Sequence, residues 1–271
     1  MTRRIMIDYE YKYCMNRYSK SDGNVLFLIL IAVVLFAALS YAVTTSTRQG
    51  GGDTEKENIK LQASELFQYA TMIDTAVTRL KLFKGCSDEN LSFESAQTGT
   101  LYENTNNPAV DERCHVFSPE GGGVSYKSLN EAMLDSSNSS SKYYGDPLFT
   151  GSTQVHRLGT DSNGVNSKEL ILVFPYLTEA LCAEMARETT GLNPAGGIPR
   201  DNNIFFDHRN SSNSYYTGIF PSFGGGFELR GEGSSSDTPH DFFFGVERGC
   251  IEGKSLPPQG TYHYFHVLVV R

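Results

Sequence analysis

Positive charge is in short supply in this chain. It carries 23 Lys and Arg against 31 Asp and Glu, a formal net charge of −8. Residues 1–23 hold Arg3, Arg4, Lys12, Arg17 and Lys20 against Asp8, Glu10 and Asp22, a balance of +2, so the remainder stands at −10. Its densest basic cluster, Arg79, Lys81 and Lys84, falls at the end of an expected helix, where cations suit the negative pole of the helix dipole. So acidic a body offers no footprint for a phosphate backbone, and nucleic acid is not an expected partner.

Signatures of catalysis and metal binding are equally sparse. Gly253-Lys254-Ser255 resembles the end of a phosphate-binding loop, but Arg248 stands where its first glycine belongs and Leu256-Pro257-Pro258 forbids the helix that would hold the phosphate. Gly123-Val124-Ser125-Tyr126-Lys127 lacks the closing glycine of a nucleophile elbow, so Ser125 reads as a loop serine. Among His115, His156, His208, His240, His263 and His266 there is no H-E-x-x-H pair. His263 and His266 are three apart in an expected strand, which sends them to opposite faces and away from a shared metal. The oxygen-rich stretches Asp161 to Asn166 and Asp201 to Asn203 depart from the EF-hand pattern and read as turns. No enzymatic activity, cofactor or metal is expected.

Long apolar runs are limited to one. Asn24 to Val43 contains no charged side chain, and as a helix it is about 30 Å long, the thickness of a bilayer core. Bases precede it, whereas Asp53, Glu55 and Glu57 soon follow it, so the positive-inside rule keeps the N-terminus cytoplasmic and places the body on the far side. A cleaved signal is the competing reading, but its apolar core is usually shorter, and Ala42-Val43-Thr44 makes a poor cleavage site. The expected partner of 24–43 is membrane lipid.

Of five cysteines, Cys14 lies in the basic leader and four lie beyond the span, an even number on an oxidising side. Three pairings exist. Cys86 with Cys114 is favoured by nearness in sequence, and Cys182 with Cys250 because they flank core elements. The absence of C-x-x-C argues against zinc.

After the span, Gly50, Gly51 and Gly52 predict a hinge, and Thr54 with Glu57 has the form of a capping box that restarts a helix. Ile59, Ala63, Leu66, Ala70, Ile73, Val77 and Leu80 then repeat at spacings of four and three, an apolar seam that needs a partner surface. That surface is either the sheet of the same domain or the same helix in neighbouring subunits. Strands are predicted at 124–126, 154–158, 169–173, 227–230, 242–247 and 262–270, and a second helix at 179–190 with Thr178 as cap and Gly191 as stop. The Ser, Asn and Gly tracts between them are loops. The fold class is therefore α+β: a transmembrane helix and a long amphipathic helix packed on an antiparallel sheet in a disulfide-stapled head. The expected divisions are a leader at 1–23, the transmembrane helix at 24–46, the hinge at 47–53 and the head at 54–271.

Ser21-Asp22-Gly23, then Asn24-Val25-Leu26-Phe27-Leu28, the seam from Ile59 to Leu80 and the Cys182–Cys250 pair together resemble type IV pilins and the pseudopilins of type II secretion. The resemblance implies processing between Gly23 and Asn24 by a prepilin peptidase, and contacts with other pilin-like subunits through Ile59, Leu66, Ile73 and Leu80. Asn24 and Leu28 stand where the family usually has Phe or Met and Glu; a few minor, tip-located members lack the glutamate. The resemblance thus implies a non-enzymatic minor subunit with a periplasmic or extracellular head. The alternative is a signal-anchored periplasmic domain that never enters a filament and binds a ligand or partner through aromatic, glycine-rich loops such as Tyr215-Tyr216 and Phe220 to Phe223. The span is also similar to membrane proteins predicted from alphaproteobacterial genomes, which implies a bacterial inner membrane.

Overall fold

A computed structural model describes residues 25–107, 111–159, 168–190, 197–201, 215–220, 228–231, 242–255 and 257–271, with backbone only at 43–53 and 190. Contacts divide the chain into two compact units, Met1–Thr54 and Glu55–Arg271. The first helix, α1 (Val25–Lys84), is assigned without a break. The helix assignment continues through Gly50–Gly52, and Thr54 lies inside α1 rather than at an N-cap. Each glycine costs a helix about 1 kcal/mol, and once the helix is nucleated propagation adds one hydrogen bond per residue fixed.

In the second unit the chain forms β1 (Leu148–Thr150), β2 (Gln154–Val155), β3 (Leu170–Leu177), α2 (Glu179–Thr190), β4 (Arg200–Asp201), β5 (Glu228–Leu229), β6 (Arg248–Gly253) and β7 (Tyr262–Val269). The main sheet has the order β1-β3-β7-β6-β4. Its pairs are antiparallel except β4 with β6, which are parallel, so a parallel edge joins the expected antiparallel sheet. β2 and β5 pair separately, in parallel. α2 begins as predicted, with Thr178 Oγ1 accepting the Leu181 N–H at 3.4 Å.

Both faces of the sheet are covered. On one face the seam of α1 meets the sheet and α2: Ala63, Leu66, Ala70, Ile73, Val77 and Leu80 share a core with Phe174, Leu181, Met185, Cys250 and Tyr264. Phe67 meets Tyr264 edge-on and Tyr69 stacks on Phe174. On the other face Ile171, Val173, Ile251, Phe265 and Val267 pack with Val155, Leu229 and Phe243 from the loops and the small sheet. Burial on both sides explains the near-continuous apolar wording of β3 and β7.

Several strand expectations fail for local reasons. Residues 124–126 form no strand, because Val124 N–H reaches back to Val116 O in a tight loop. Residues 242–247 turn instead of extending: Val246 N–H bonds Phe243 O, and Gly245 takes a φ of 64°. The strand lies just beyond, in Arg248–Gly253, whose glycines and charges give little β signal. Gly249 is required there, since a Cβ would sit 2.7 Å from the Phe243 ring. β3 runs through Pro175, past the predicted end at Val173, because a register shift between Phe174 and Leu177 absorbs the missing donor.

Candidate functional site

Three features carry functional information: the apolar column of α1, the disulfides, and a cleft beside one of them. Every side chain from Val25 to Ala42 is exposed, Phe36 at 72% and Leu35 at 65%. One helix among the described residues is therefore long and apolar enough to cross a membrane, and none of the described residues covers it. Gly23 and Asn24, the expected processing pair, lie outside the described residues, as do Cys14, His208, His240, Phe223 and the stretch Asp161 to Asn166.

Both expected disulfides are formed. Cys86 is bonded to Cys114 with Cα atoms 5.8 Å apart, and Cys182 to Cys250 with Cα atoms 5.6 Å apart. The first ties the end of α1 to the loop over 112–123. The second ties α2 to β6 beneath the helical face of the sheet.

The seam of α1 is not a contact surface for other subunits. Leu66, Ile73 and Leu80 are at most 3% exposed and Ile59 is half-buried against the same core, so the protein's own sheet is the partner. The described aromatic residues of the loops expected to capture a ligand are likewise spent on packing. Tyr216 is 1% exposed against Phe93, Tyr215 packs on Tyr102 and Tyr143, and the Phe220 ring lies 3.9 Å under the Arg271 guanidinium. The bases at the end of α1 hold neighbouring structure: Lys81 pairs with Asp88 at 2.7 Å, Lys84 donates to Glu120 O at 2.8 Å, and Arg79 reaches Gly122 O at 3.3 Å.

His263 and His266 fall on opposite faces of β7, as alternation requires. His266 lies on the α1 side, its Nε2 3.8 Å from Asp74 Oδ2, whereas His263 meets Tyr176 and shares hydrogen bonds with the Tyr176 N–H and Thr261 Oγ1. Among the described residues no group of His, Cys, Asp and Glu converges to hold a metal ion.

Next to the Cys86–Cys114 bond the chain folds into an open cleft of about 370 Å³, walled by Glu94, Ser95, Glu112, His115, Phe117 and Ser118. Its frame is tightly tied. Ser92 N–H donates to Cys114 O at 3.0 Å, Val116 N–H to Ser92 O at 2.9 Å, and Gly122 N–H to His115 O at 2.8 Å. A Cβ on Gly121 would lie 2.0 Å from His115 O, and one on Gly122 2.4 Å from Val116 O, so only glycine lets the loop close. Ser118 Oγ donates to Glu112 Oε2 at 2.5 Å. Nearby, hydrogen bonds from Arg113 pull the Asp111 carboxyl down to about 2 and occupy that guanidinium, and among the described residues no Lys or Arg lines the cleft. Sequence reasoning missed this site because its residues follow no motif spacing; the triple glycine at 121–123 was the one local signal.

No family model, curated protein or solved structure matches this chain. The protein is a disulfide-stabilised α+β domain on a chain that has, among the described residues, one candidate membrane-spanning helix.

Proposed function

We propose that this protein is a non-enzymatic, single-pass bacterial inner-membrane protein, a minor subunit of a pilin-like or pseudopilin-like filament. Its N-terminus is cytoplasmic and its head periplasmic or extracellular. The observation that carries this reading is α1: one helix assignment joins the exposed apolar segment to the amphipathic segment packed on the sheet. Such a helix serves as anchor at one end and as framework of the head at the other. The +2 leader supports the orientation, and the two disulfides suit an oxidising compartment.

Subunit contacts in this reading cannot use Leu66, Ile73 or Leu80, which the head buries, and Ile59 is left half-exposed beside them. Such contacts fall to the lipid-embedded stretch and to head surface outside the seam.

The test is the mass of the N-terminus of membrane-extracted protein, produced with and without a prepilin peptidase. Removal of residues 1–23, leaving Asn24 first, is the expected outcome with the peptidase. An intact Met1 terminus in both preparations would overturn the filament reading and leave a permanently anchored domain.

A further inference from the structure

We propose that the outer side of α1 docks a second copy of this chain, with Phe83 of one copy entering the groove between α1 and residues 127–133 of the next. This names a head surface outside the seam. It rests on the reading above only in that both copies stand in one membrane in the same sense, so their α1 axes run parallel.

Leu61, Met72 and Phe83 recur every eleven residues, about three helical turns, so they share one side of α1, off the seam. All three are exposed, Phe83 at 81%, and Leu82 beside it is 72% exposed. The same fold buries Phe93, Phe149, Phe174 and Phe265 completely. Isolated apolar side chains on a surface need no explanation, but a stripe of them beside a groove marks an interaction site.

The groove opens on that side. Tyr69 and Met72 of α1 face Leu129 and Met133 across a space of about 90 Å³. Small-molecule sites begin at roughly 300 Å³, so this one suits a single inserted side chain rather than a free ligand. Methionine on both walls adapts to an aromatic ring, because the thioether packs well at a ring edge. Tyr69 holds the far wall in place by accepting the Lys127 N–H at 2.9 Å.

Phe83 and the groove lie at different levels of one helix. From Tyr69 to Phe83 is fourteen residues, about 21 Å along the axis, so the two meet only between copies displaced by that distance. The same displacement brings Arg79 of one copy level with Glu65 on the groove rim of the other. Among the described residues Glu65 has no ion-pair partner, and Arg79 donates only to the Gly121 and Gly122 carbonyls. The rim also carries Lys127, and Glu120 lies beside Phe83, where its carbonyl accepts from Lys84 at 2.8 Å. Each side of the contact therefore offers both signs of charge. A contact between two different patches is heterologous and leaves a free Phe83 at one end and a free groove at the other, where a further copy or another filament subunit attaches.

Cross-linking of the full chain in its membrane tests this surface. Two differently tagged copies, both with Cys14→Ser, are produced together, one with Phe83→Cys and the other with Met72→Cys, and treated with a short bismaleimide. A product bearing both tags is expected. Gln68→Cys, on the exposed rim, is a second groove position and should give the same product. Thr78→Cys, exposed on another side of α1, should lose it. Absence of the two-tag product from both groove positions, or an equal yield from Thr78→Cys, overturns the surface whatever the N-terminus. Cross-linking accompanied by an intact Met1 terminus overturns the filament reading and leaves the surface standing.

Discussion

Tyrosine hydroxyls supply much of the polar bonding inside the head. Tyr69 accepts the Lys127 N–H at 2.9 Å, Tyr102 donates to Pro147 O at 3.3 Å and accepts from Phe149 N–H at 3.1 Å, and Tyr216 donates to Asp88 O. Burial pushes the phenols of Tyr69, Tyr215 and Tyr262 up to about 12 and raises those of Tyr102, Tyr126, Tyr216 and Tyr264 as well. Above pH 10.0, the ordinary value, the unfolded chain loses protons that the folded chain keeps. Stability is thus whole below pH 10 and falls as pH rises toward 12. Alkaline unfolding followed by circular dichroism should show this decline, and Tyr69→Phe should make it shallower. No sequence pattern announces the roles of Tyr102, Tyr126, Tyr215 and Tyr216, because a tyrosine outside a regular helix or strand pattern reads as surface until its segment is seen to fold over the core.

The elements differ in how openly the sequence declares them. The seam of α1 was legible, since the spacing of four and three places Ala63 to Leu80 on one side of any helix. Its partner was not, because a sheet and a neighbouring helix accept the same apolar stripe. The structure chooses the sheet, and the choice can be measured. Ile73→Ala removes a fully buried side chain and should cost about 2–5 kcal/mol in denaturant unfolding. Leu61→Ala, at a position 68% exposed, should change stability by about 0.5 kcal/mol or less. Equal effects would contradict the assignment of faces. β6 was illegible for the opposite reason: Arg248, Gly249 and Glu252 carry little strand propensity, and the strand exists because Tyr264 and Phe265 of β7 lie beside it.

For the whole molecule, topology and redox state can be tested together. In chain produced without a prepilin peptidase, which keeps Cys14, a maleimide too polar to cross membranes should miss Cys14 in intact spheroplasts and label it once the membrane is opened. In that unprocessed protein, unfolded and unreduced, only one thiol of the five should react, and reduction should release the other four. In the chain-entropy picture the bridges, 28 and 68 residues apart, contribute about 3.6 and about 4.4 kcal/mol as upper figures. More than one reactive thiol before reduction would contradict the bonded pairs. By itself the sequence determined the features that depend on local composition: one apolar stretch long enough to span a bilayer, its charge asymmetry, an even set of four cysteines beyond it and an amphipathic helix. Length, charge and periodicity are properties of neighbouring residues, so they survive without a fold. Only the tertiary structure decided that the seam is spent on the protein's own sheet, that β4 joins in parallel, and that Glu94, Glu112 and His115 meet in one cleft. Those outcomes depend on which distant segments pack together, and the α1 face, the β7 register and the 112–123 loop settle them through contacts that no local pattern encodes.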